Sequence, residues 1–204
     1  AIIITEDISF ITKCPSLQYI KIVLADTAID RFDYSPLYDM PSVKHLTCTT
    51  AYGGPKEHLH TTIDYSNVKG LVKIEASGKG HLNYNLVDTL EELHISGDKA
   101  HENLSSISSS QNLKRIWFLQ SGLKSLSGIE RFSKMQDLSF DYMRSLRDIS
   151  QLSLVANSLR ALSIESCPKI TDFSVLYDLV NLEHLHLYGK NELPSLSFLN
   201  KMKK

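Results

Sequence analysis

A recurring apolar pattern constrains the fold of this chain more than any other feature. Eight segments have the form apolar-x-x-apolar-x-apolar; the last five start 22 to 24 residues apart, and the earlier intervals are irregular. Alternation over the last four positions of a segment is typical of a short β-strand that buries one face. The apolar positions of the segments are Leu17/Ile20/Ile22, Val43/Leu46/Cys48, Leu71/Ile74/Ala76, Leu90/Leu93/Ile95, Leu113/Ile116/Phe118, Met135/Leu138/Phe140, Leu159/Leu162/Ile164 and Leu182/Leu185/Leu187.

A second apolar series, with three-residue spacing, lies between these segments. In the last full repeat it comprises Ile170, Phe173, Leu176 and Leu179. This spacing suits a 3₁₀ turn or a short helix. One such unit cannot bury its apolar face alone, whereas stacked units build a continuous core. The pattern therefore predicts an α/β solenoid, with a parallel sheet on the concave face and short helices or 3₁₀ turns on the convex face.

The stretch Cys167–Gly189, CPKITDFSVLYDLVNLEHLHLYG, resembles leucine-rich repeats of the internalin type. In such repeats an Asn or Cys bonds the backbone of the turn that follows the strand, and Cys167 occupies that position. The resemblance implies the leucine-rich-repeat fold and a bacterial ligand-binding or surface-adhesion module. The other repeats depart from the pattern, which predicts no regular Asn ladder. Their residues at that position are Ala25, Ala51, Lys79, Asp98, Ser121, Met143 and Lys190.

We expect one domain over residues 1–204, with about eight repeats that are irregular within residues 1–90. Two stretches read as insertions. Ala51–Asn67 contains Gly-Gly-Pro and no core series, so it predicts a long loop. Asp98–Ser110 is polar and serine-rich, with Leu104 and Ile107 as candidate anchors.

The three cysteines, Cys14, Cys48 and Cys167, have neither disulfide-framework nor metal-motif spacing. We interpret them as small buried core or turn residues. Unpaired thiols favour a reducing, cytoplasmic location. The convex apolar series also continues towards both ends of the chain, at Ile8, Ile11, Cys14 and Leu17 and at Leu196, Leu199 and Met202.

Composition argues against several classes of function. Lys and Arg number 22 against 23 Asp and Glu, a formal net charge of -1, so no basic excess serves nucleic acid or a membrane surface. No apolar run approaches the roughly 18–20 residues of a membrane span. The motifs GxGxxG, GxxxxGK[ST], HExxH and GxSxG are all absent. We expect no enzymatic activity and no cofactor.

Binding residues are expected among the strand side chains that point away from the core, at the third, fifth and seventh positions of each segment. Trp117, the only tryptophan, holds such a position with Arg115 and Leu119 beside it. This composition is typical of an interface anchor. Packing of Trp117 against a local loop is the alternative.

Acidic and aromatic residues share this outward side. Asp137, Asp141 and Glu165 form an acidic strip, for which simple solvation is the alternative interpretation. His184 and His186 have a spacing compatible with metal, but no third ligand is evident, so no metal site is expected. The predicted surface comprises His94, Arg115, Trp117, Leu119, Asp137, Asp141, Tyr142, Glu165, His184, His186 and Tyr188.

The favoured function is non-enzymatic binding of a protein partner through the concave strand face, in the manner of bacterial ligand-binding or adhesion modules. The acidic strip suits a basic partner, and we expect a monomer in the free state. The alternative is a cytoplasmic immunity or inhibitor protein that neutralises a toxin or regulates an enzyme. Trp117 disfavours a purely structural spacer.

Overall fold

The computed structural model describes residues 7–24, 32–50, 62–77, 81–190, 192–193 and 195–202. These ranges contain an eight-stranded parallel sheet whose strands follow one another in chain order. Two further strands, β3 (Ile63–Asp64) and β5 (His81–Leu82), pair only with each other. The strands of the large sheet are β1 (Tyr19–Leu24), β2 (His45–Thr50), β4 (Lys73–Ser77), β6 (Glu92–Ser96), β7 (Arg115–Leu119), β8 (Asp137–Asp141), β9 (Ala161–Glu165) and β10 (His184–Tyr188).

Neighbouring strands pair in the register that the repeat pattern predicts. Arg115, Asp137, Ala161 and His184 are successive partners from β7 to β10. The irregular spacing of the first half leaves the register intact, since the third positions of β2 and β4 also pair. The length differences are therefore taken up by the connections. The predicted solenoid, with its parallel sheet on the concave face, is confirmed.

One side of the sheet faces the core. In strands β6 to β9 the second and fourth residues are buried while the others are partly or fully exposed. Phe118 and Phe140 stack in the core with ring centroids 6.3 Å apart. Burial of one large apolar side chain contributes about 1.5–3 kcal/mol. Because a one-residue slip would expose this whole set, burial fixes which side chains point outward.

Short 3₁₀ helices carry the chain back along the convex side. Ile129 and Leu176, which belong to apolar series of three-residue spacing, are buried in two of these helices. In the described ranges these helices are Ser9–Lys13, Ser35–Leu37, Tyr65–Asn67, Tyr84–Leu86, Ile129–Arg131, Ser150–Val155, Ser174–Tyr177 and Ser197–Lys201.

The chain leaves strands β6 to β9 through one recurring turn. The residue after each strand has a positive φ: 79° at Gly97, 53° at Gln120, 55° at Tyr142 and 52° at Ser166. Each backbone N–H donates to the carbonyl of the last residue of the next strand, at 2.7–2.9 Å. A left-handed conformation suits glycine and strains other residues. Three of these four turns therefore carry a side chain where glycine would be easier to accommodate.

Cys167 fills the turn position that its repeat implies. The thiol is buried and donates to the carbonyl oxygens of Phe140 at 3.3 Å and Glu165 at 3.4 Å. The preceding repeats fill this position with buried Ser121 and Met143, so the turns are stabilised differently from one repeat to the next.

The described end of the first proposed insertion contains a strand and a 3₁₀ helix, so the prediction of one long loop was wrong there. Residues 51–61 lie outside the described residues, but Ile63 and Tyr65 are buried in the core. The Tyr65 hydroxyl is 3.0 Å from Nδ1 of His81 on the next coil, which secures this part of the stretch. The second insertion matches its prediction, because Leu104 and Ile107 are fully buried anchors.

Predictions for the ends of the sequence were correct only in part. Ile8 and Ile11 are buried in the convex series, but Cys14 is exposed, so its assignment to the core was wrong. Cys14 directly follows the first 3₁₀ helix, where the side chain lies outside the coil. Leu196 and Leu199 are also exposed.

Candidate protein-binding face

The outward side chains of β4 and β6 to β10 form one continuous surface, called here the strand face. All predicted site residues except Tyr142 lie on it, and Tyr142 directly follows β8. Trp117 and Leu119 are partly buried there, while His184, His186 and Tyr188 on β10 are exposed. The predicted surface is therefore contiguous, although its burial decreases from β7 to β10.

Charged side chains on β4, β6 and the start of β7 neutralise one another. Lys73 Nζ lies 2.8 Å from Oε1 of Glu75 and 3.5 Å from Oε2 of Glu92, and Glu92 also pairs with Arg115. Partial burial raises the pKa of both glutamates, but the hydrogen bonds from Lys73 and Arg115 outweigh it and leave both pKa values lowered. This part of the strand face presents little unpaired charge.

Trp117 is held in place by neighbours on the same face. Its indole Nε1–H donates to Oδ2 of Asp141 at 2.6 Å, and Oδ1 of that carboxylate accepts from the Ser139 hydroxyl at 3.2 Å. The edge of the His94 ring meets the indole, with centroids 5.6 Å apart and planes at 90°. Burial lowers the pKa of His94, and the charge of Lys73 lowers it further. These contacts come from strand residues rather than from a loop.

The acidic strip on β8 and β9 differs from the paired glutamates. Among the described residues, Asp137, Asp141 and Glu165 have no Lys, Arg or His within ion-pair distance. In the described ranges the Asp141 carboxylate accepts from two neutral donors, the Trp117 indole and the Ser139 hydroxyl. Partial burial raises the pKa of Asp137, against the weaker opposing effect of the positive charge of Arg115. Unlike Glu75 and Glu92, the three carboxylates of the strip therefore lie without an ion-pair partner among the described residues.

Small side chains separate Trp117 from the aromatic residues of β10. Ser139 is the middle strand-face residue of β8, and Ala161 and Ser163 are the first two of β9; Ser163 pairs in register with His186. With strands about 4.8 Å apart, β7 and β10 lie about 14 Å from each other. These small side chains, called here the floor, thus lie between two walls: Trp117 on β7, and the histidines and Tyr188 on β10.

Tyr142 stands at the edge of this floor. Its side chain is 46% exposed, although its backbone has the left-handed φ described above. The interaction of its hydroxyl with the Glu165 carboxylate raises the pKa of Tyr142, and nearby Tyr188 adds to the shift. Tyr188 also pairs in register with Glu165, and the backbone N–H of Tyr142 donates to the Glu165 carbonyl, so the two tyrosines and Glu165 belong to one cluster.

Three further observations concern metal binding, membrane spans and thiol reactivity in the described part of the chain. It holds no group of three His, Cys, Asp or Glu side chains that would bind a metal, and no helix there is long and apolar enough to cross a membrane. Burial raises the pKa of Cys48 to about 12 and that of Cys167 to about 11, so both thiols stay protonated and weakly nucleophilic.

Four strand residues next to the predicted surface were not included in it: Thr47, Lys73, Glu75 and Glu92. Thr47 points outward yet is buried, and its hydroxyl donates to Oε2 of Glu75 at 3.0 Å. Opposite charges at matching positions of successive repeats were the signal in the sequence. Glu92 pairs with Arg115, and Oε1 of Glu75 lies 3.4 Å from Nδ1 of His94, whose ring meets the indole.

The architecture has clear counterparts among solved structures. An internalin from Listeria monocytogenes matches with a TM-score of 0.62 and 18% identity over 96% of this chain. A leucine-rich-repeat protein from Leptospira interrogans matches with a TM-score of 0.60 and 16% identity over 94%. The chain is a leucine-rich-repeat solenoid.

The solenoid spans about half the length of these two structures, covering 54% of each. No protein-family model matches its sequence, and no curated protein matches it either. At these identities the likeness concerns the fold.

Proposed function

We propose that the solenoid is a non-enzymatic protein-binding module and that its partner docks on the strand face between β6 and β10. The observation that carries this proposal is the pre-set Trp117, whose indole is fixed by Asp141 and His94 while part of its surface stays open. Tryptophan and tyrosine dominate the energetics of protein interfaces. An indole already held in one position loses little entropy on binding.

The shape of the strand face also suits a protein segment. The distance of about 14 Å between β7 and β10 admits an extended strand or a helix, whose diameter is about 10–12 Å. Exposed Tyr188 stands on β10, across from Trp117, and exposed Tyr142 lies at the edge of the floor directly after β8. Side chains on paired strands are held more rigidly than side chains on loops.

Two biological uses of such a face are consistent with the proposal: attachment to a ligand, as in bacterial adhesion modules, and neutralisation of a toxin or enzyme. Both solved structures above come from bacteria, which agrees with either use. The identity of the partner separates the two.

Site-specific photocrosslinking tests the proposed face. A photoreactive amino acid at Ser163, on the floor, is compared with one at Leu154, which is 59% exposed on a convex 3₁₀ helix. We expect one defined partner to crosslink in cells at position 163 and not at position 154. Crosslinking at position 154 alone would contradict the proposal.

Titration of the purified partner gives the energetic test. Trp117→Ala and Tyr188→Ala should each weaken binding at least tenfold, because they remove the two walls. Leu154→Ala serves as the control, and thermal melts establish that each variant is folded. Equal affinity of all three variants would place the interface elsewhere.

A further inference from the structure

Carboxylates on the strand face fall into two groups. Glu75 and Glu92 each lie against the Lys73 ammonium, and Glu92 also pairs with Arg115. Asp141 instead accepts from the indole of Trp117 and the Ser139 hydroxyl, which are neutral donors. A carboxylate held by neutral donors is fixed in orientation, and no paired cation neutralises it. Such a group is ready to accept a cation from outside.

Aromatic rings accompany the unpaired carboxylates at the carboxyl ends of β8 to β10. Tyr142 and Tyr188 are 46% and 65% exposed. Tyr188 pairs in register with Glu165, and the backbone N–H of Tyr142 donates to the Glu165 carbonyl at 2.8 Å. The face of an aromatic ring attracts an organic cation. A hard metal ion, by contrast, requires several oxygen ligands in one coordination shell. The mixture of carboxylates and aromatic rings therefore matches an ammonium or guanidinium group.

We propose that Asp141, Glu165, Tyr142 and Tyr188 form a subsite for a lysine or arginine side chain of the protein partner. This subsite, called here the cation subsite, rests on the proposed function and specifies the chemistry of the partner. Charge complementarity selects the occupant, because two carboxylates that lack a paired cation are matched by one or two positively charged side chains of the partner. An acidic or purely apolar segment would leave these carboxylates desolvated without a partner.

A peptide titration tests the cation subsite directly. The probe is a capped Gly-Arg-Gly-Arg-Gly peptide, with a capped Gly-Glu-Gly-Glu-Gly peptide as its counterpart. The indole N–H of Trp117 is a single NMR signal and is bonded to Asp141, so it reports on the subsite. We expect the arginine peptide to shift this signal saturably at low salt, with a smaller shift at high salt. The glutamate peptide should leave the signal unchanged.

Matched variants separate a built subsite from general charge attraction. Asp141→Asn combined with Glu165→Gln removes two charges and retains hydrogen-bonding groups of similar shape. We expect this double variant to bind the arginine peptide at least tenfold more weakly. Asp88→Asn combined with Asp178→Asn removes the same charge from exposed positions outside the strands and should change affinity less than twofold.

Tyr142→Gly tests the aromatic part without endangering the fold. Glycine occupies the equivalent turn position at residue 97 with a φ of 79°. We expect this variant to keep its melting temperature and to lose affinity for the arginine peptide severalfold. Undiminished affinity would remove Tyr142 from the cation subsite.

Two outcomes would overturn the proposal: an unchanged affinity in the Asp141/Glu165 variant, or an equal loss in the Asp88/Asp178 control. Each is distinct from failure of the proposed function. A partner that crosslinks at position 163 but tolerates the Asp141/Glu165 variant leaves the face intact and refutes the cation subsite. A partner that crosslinks only at position 154 would contradict the proposed binding face, whatever the result of the peptide titration.

Discussion

The indole Nε1–H of Trp117 donates a 2.6 Å hydrogen bond to Oδ2 of Asp141 on the neighbouring strand. Asp141→Ala would leave this donor to water or without a partner, so we expect a loss of about 1 kcal/mol in unfolding free energy. Asp141→Asn keeps an acceptor and should cost less than half of that. Urea denaturation followed by the fluorescence of the single tryptophan measures both variants. Equal losses would show that the bond contributes no stability.

Asp137 is predicted to reduce stability at neutral pH. Partial burial raises its pKa in the folded state, so the fold disfavours the ionised form and stability falls as the pH rises through that pKa. Asp137→Asn should therefore raise the melting temperature at pH 7, with the gain shrinking towards pH 3. Asp172→Asn should do the opposite, because the backbone N–H of Ser174 lowers the pKa of Asp172. A lower melting temperature for Asp137→Asn at pH 7 would contradict this prediction.

His81 makes the solenoid sensitive to mild acid. Its Nε2 lies 3.0 Å from the Ser77 carbonyl oxygen, which only accepts, so neutral His81 donates there and its Nδ1 accepts from the Tyr65 hydroxyl. Burial lowers the pKa of His81, so the unfolded chain takes up a proton first. Stability is then lost as the pH falls below about 6.5, by up to about 1.4 kcal/mol per pH unit until the folded-state pKa is reached.

Thermal melts between pH 7.5 and 5.5 check this prediction. His81→Gln should flatten the loss of melting temperature over this interval, whatever its effect at pH 7.5. His186→Gln, at an exposed position on β10, should keep the wild-type slope. Equal slopes for wild type and His81→Gln would exclude His81 as the titrating group.

Two glycines with positive φ should respond very differently to alanine. A Cβ at Gly128 would lie 2.4 Å from the backbone nitrogen of Ser105 on the neighbouring coil, whereas nothing lies within 4 Å of one at Gly97. Gly97→Ala meets only the left-handed strain, about 1–2 kcal/mol. Gly128→Ala adds a backbone clash and should cost on the order of 3 kcal/mol or more. Similar unfolding free energies for the two variants would contradict the close approach of the coils.

The buried positions of the strands could be predicted because the apolar alternation that marks them lies within each short segment. Apolar alternation fixed the register even at β2 and β4, where the repeat length is irregular, since surplus residues stay in the connections. The 3₁₀ helices followed from the three-residue spacing for the same reason. Tyr65 was missed although Tyr65, Val68 and Leu71 are buried at the same three-residue spacing. Its contact with His81, 16 residues away, has no local pattern that would mark it.

The sequence predicted which positions belong to the candidate site, but it did not predict the contacts between their side chains. The outward columns placed Trp117 and Asp141 on one side of the sheet. Their hydrogen bond joins the fifth position of one repeat to the seventh of the next, a diagonal that column-by-column comparison overlooks. Arg115 was expected to act with Trp117, but among the described residues its ion pair is with Glu92 on the other side. Side-chain reach between strands decides such choices.

The recurring turn after β6 to β9 makes the spacing of this surface adjustable in fixed steps. Each coil closes with the same N–H to carbonyl hydrogen bond, and its strand pairs with the next strand in the same register. Duplication of one coil between β8 and β9 would therefore lengthen the array without redesigning either junction. It would move the histidines and tyrosine of β10 away from Trp117 by one strand spacing, about 4.8 Å. Gain or loss of whole coils, in evolution or by engineering, would thus change the width of the surface stepwise to match ligands of different size.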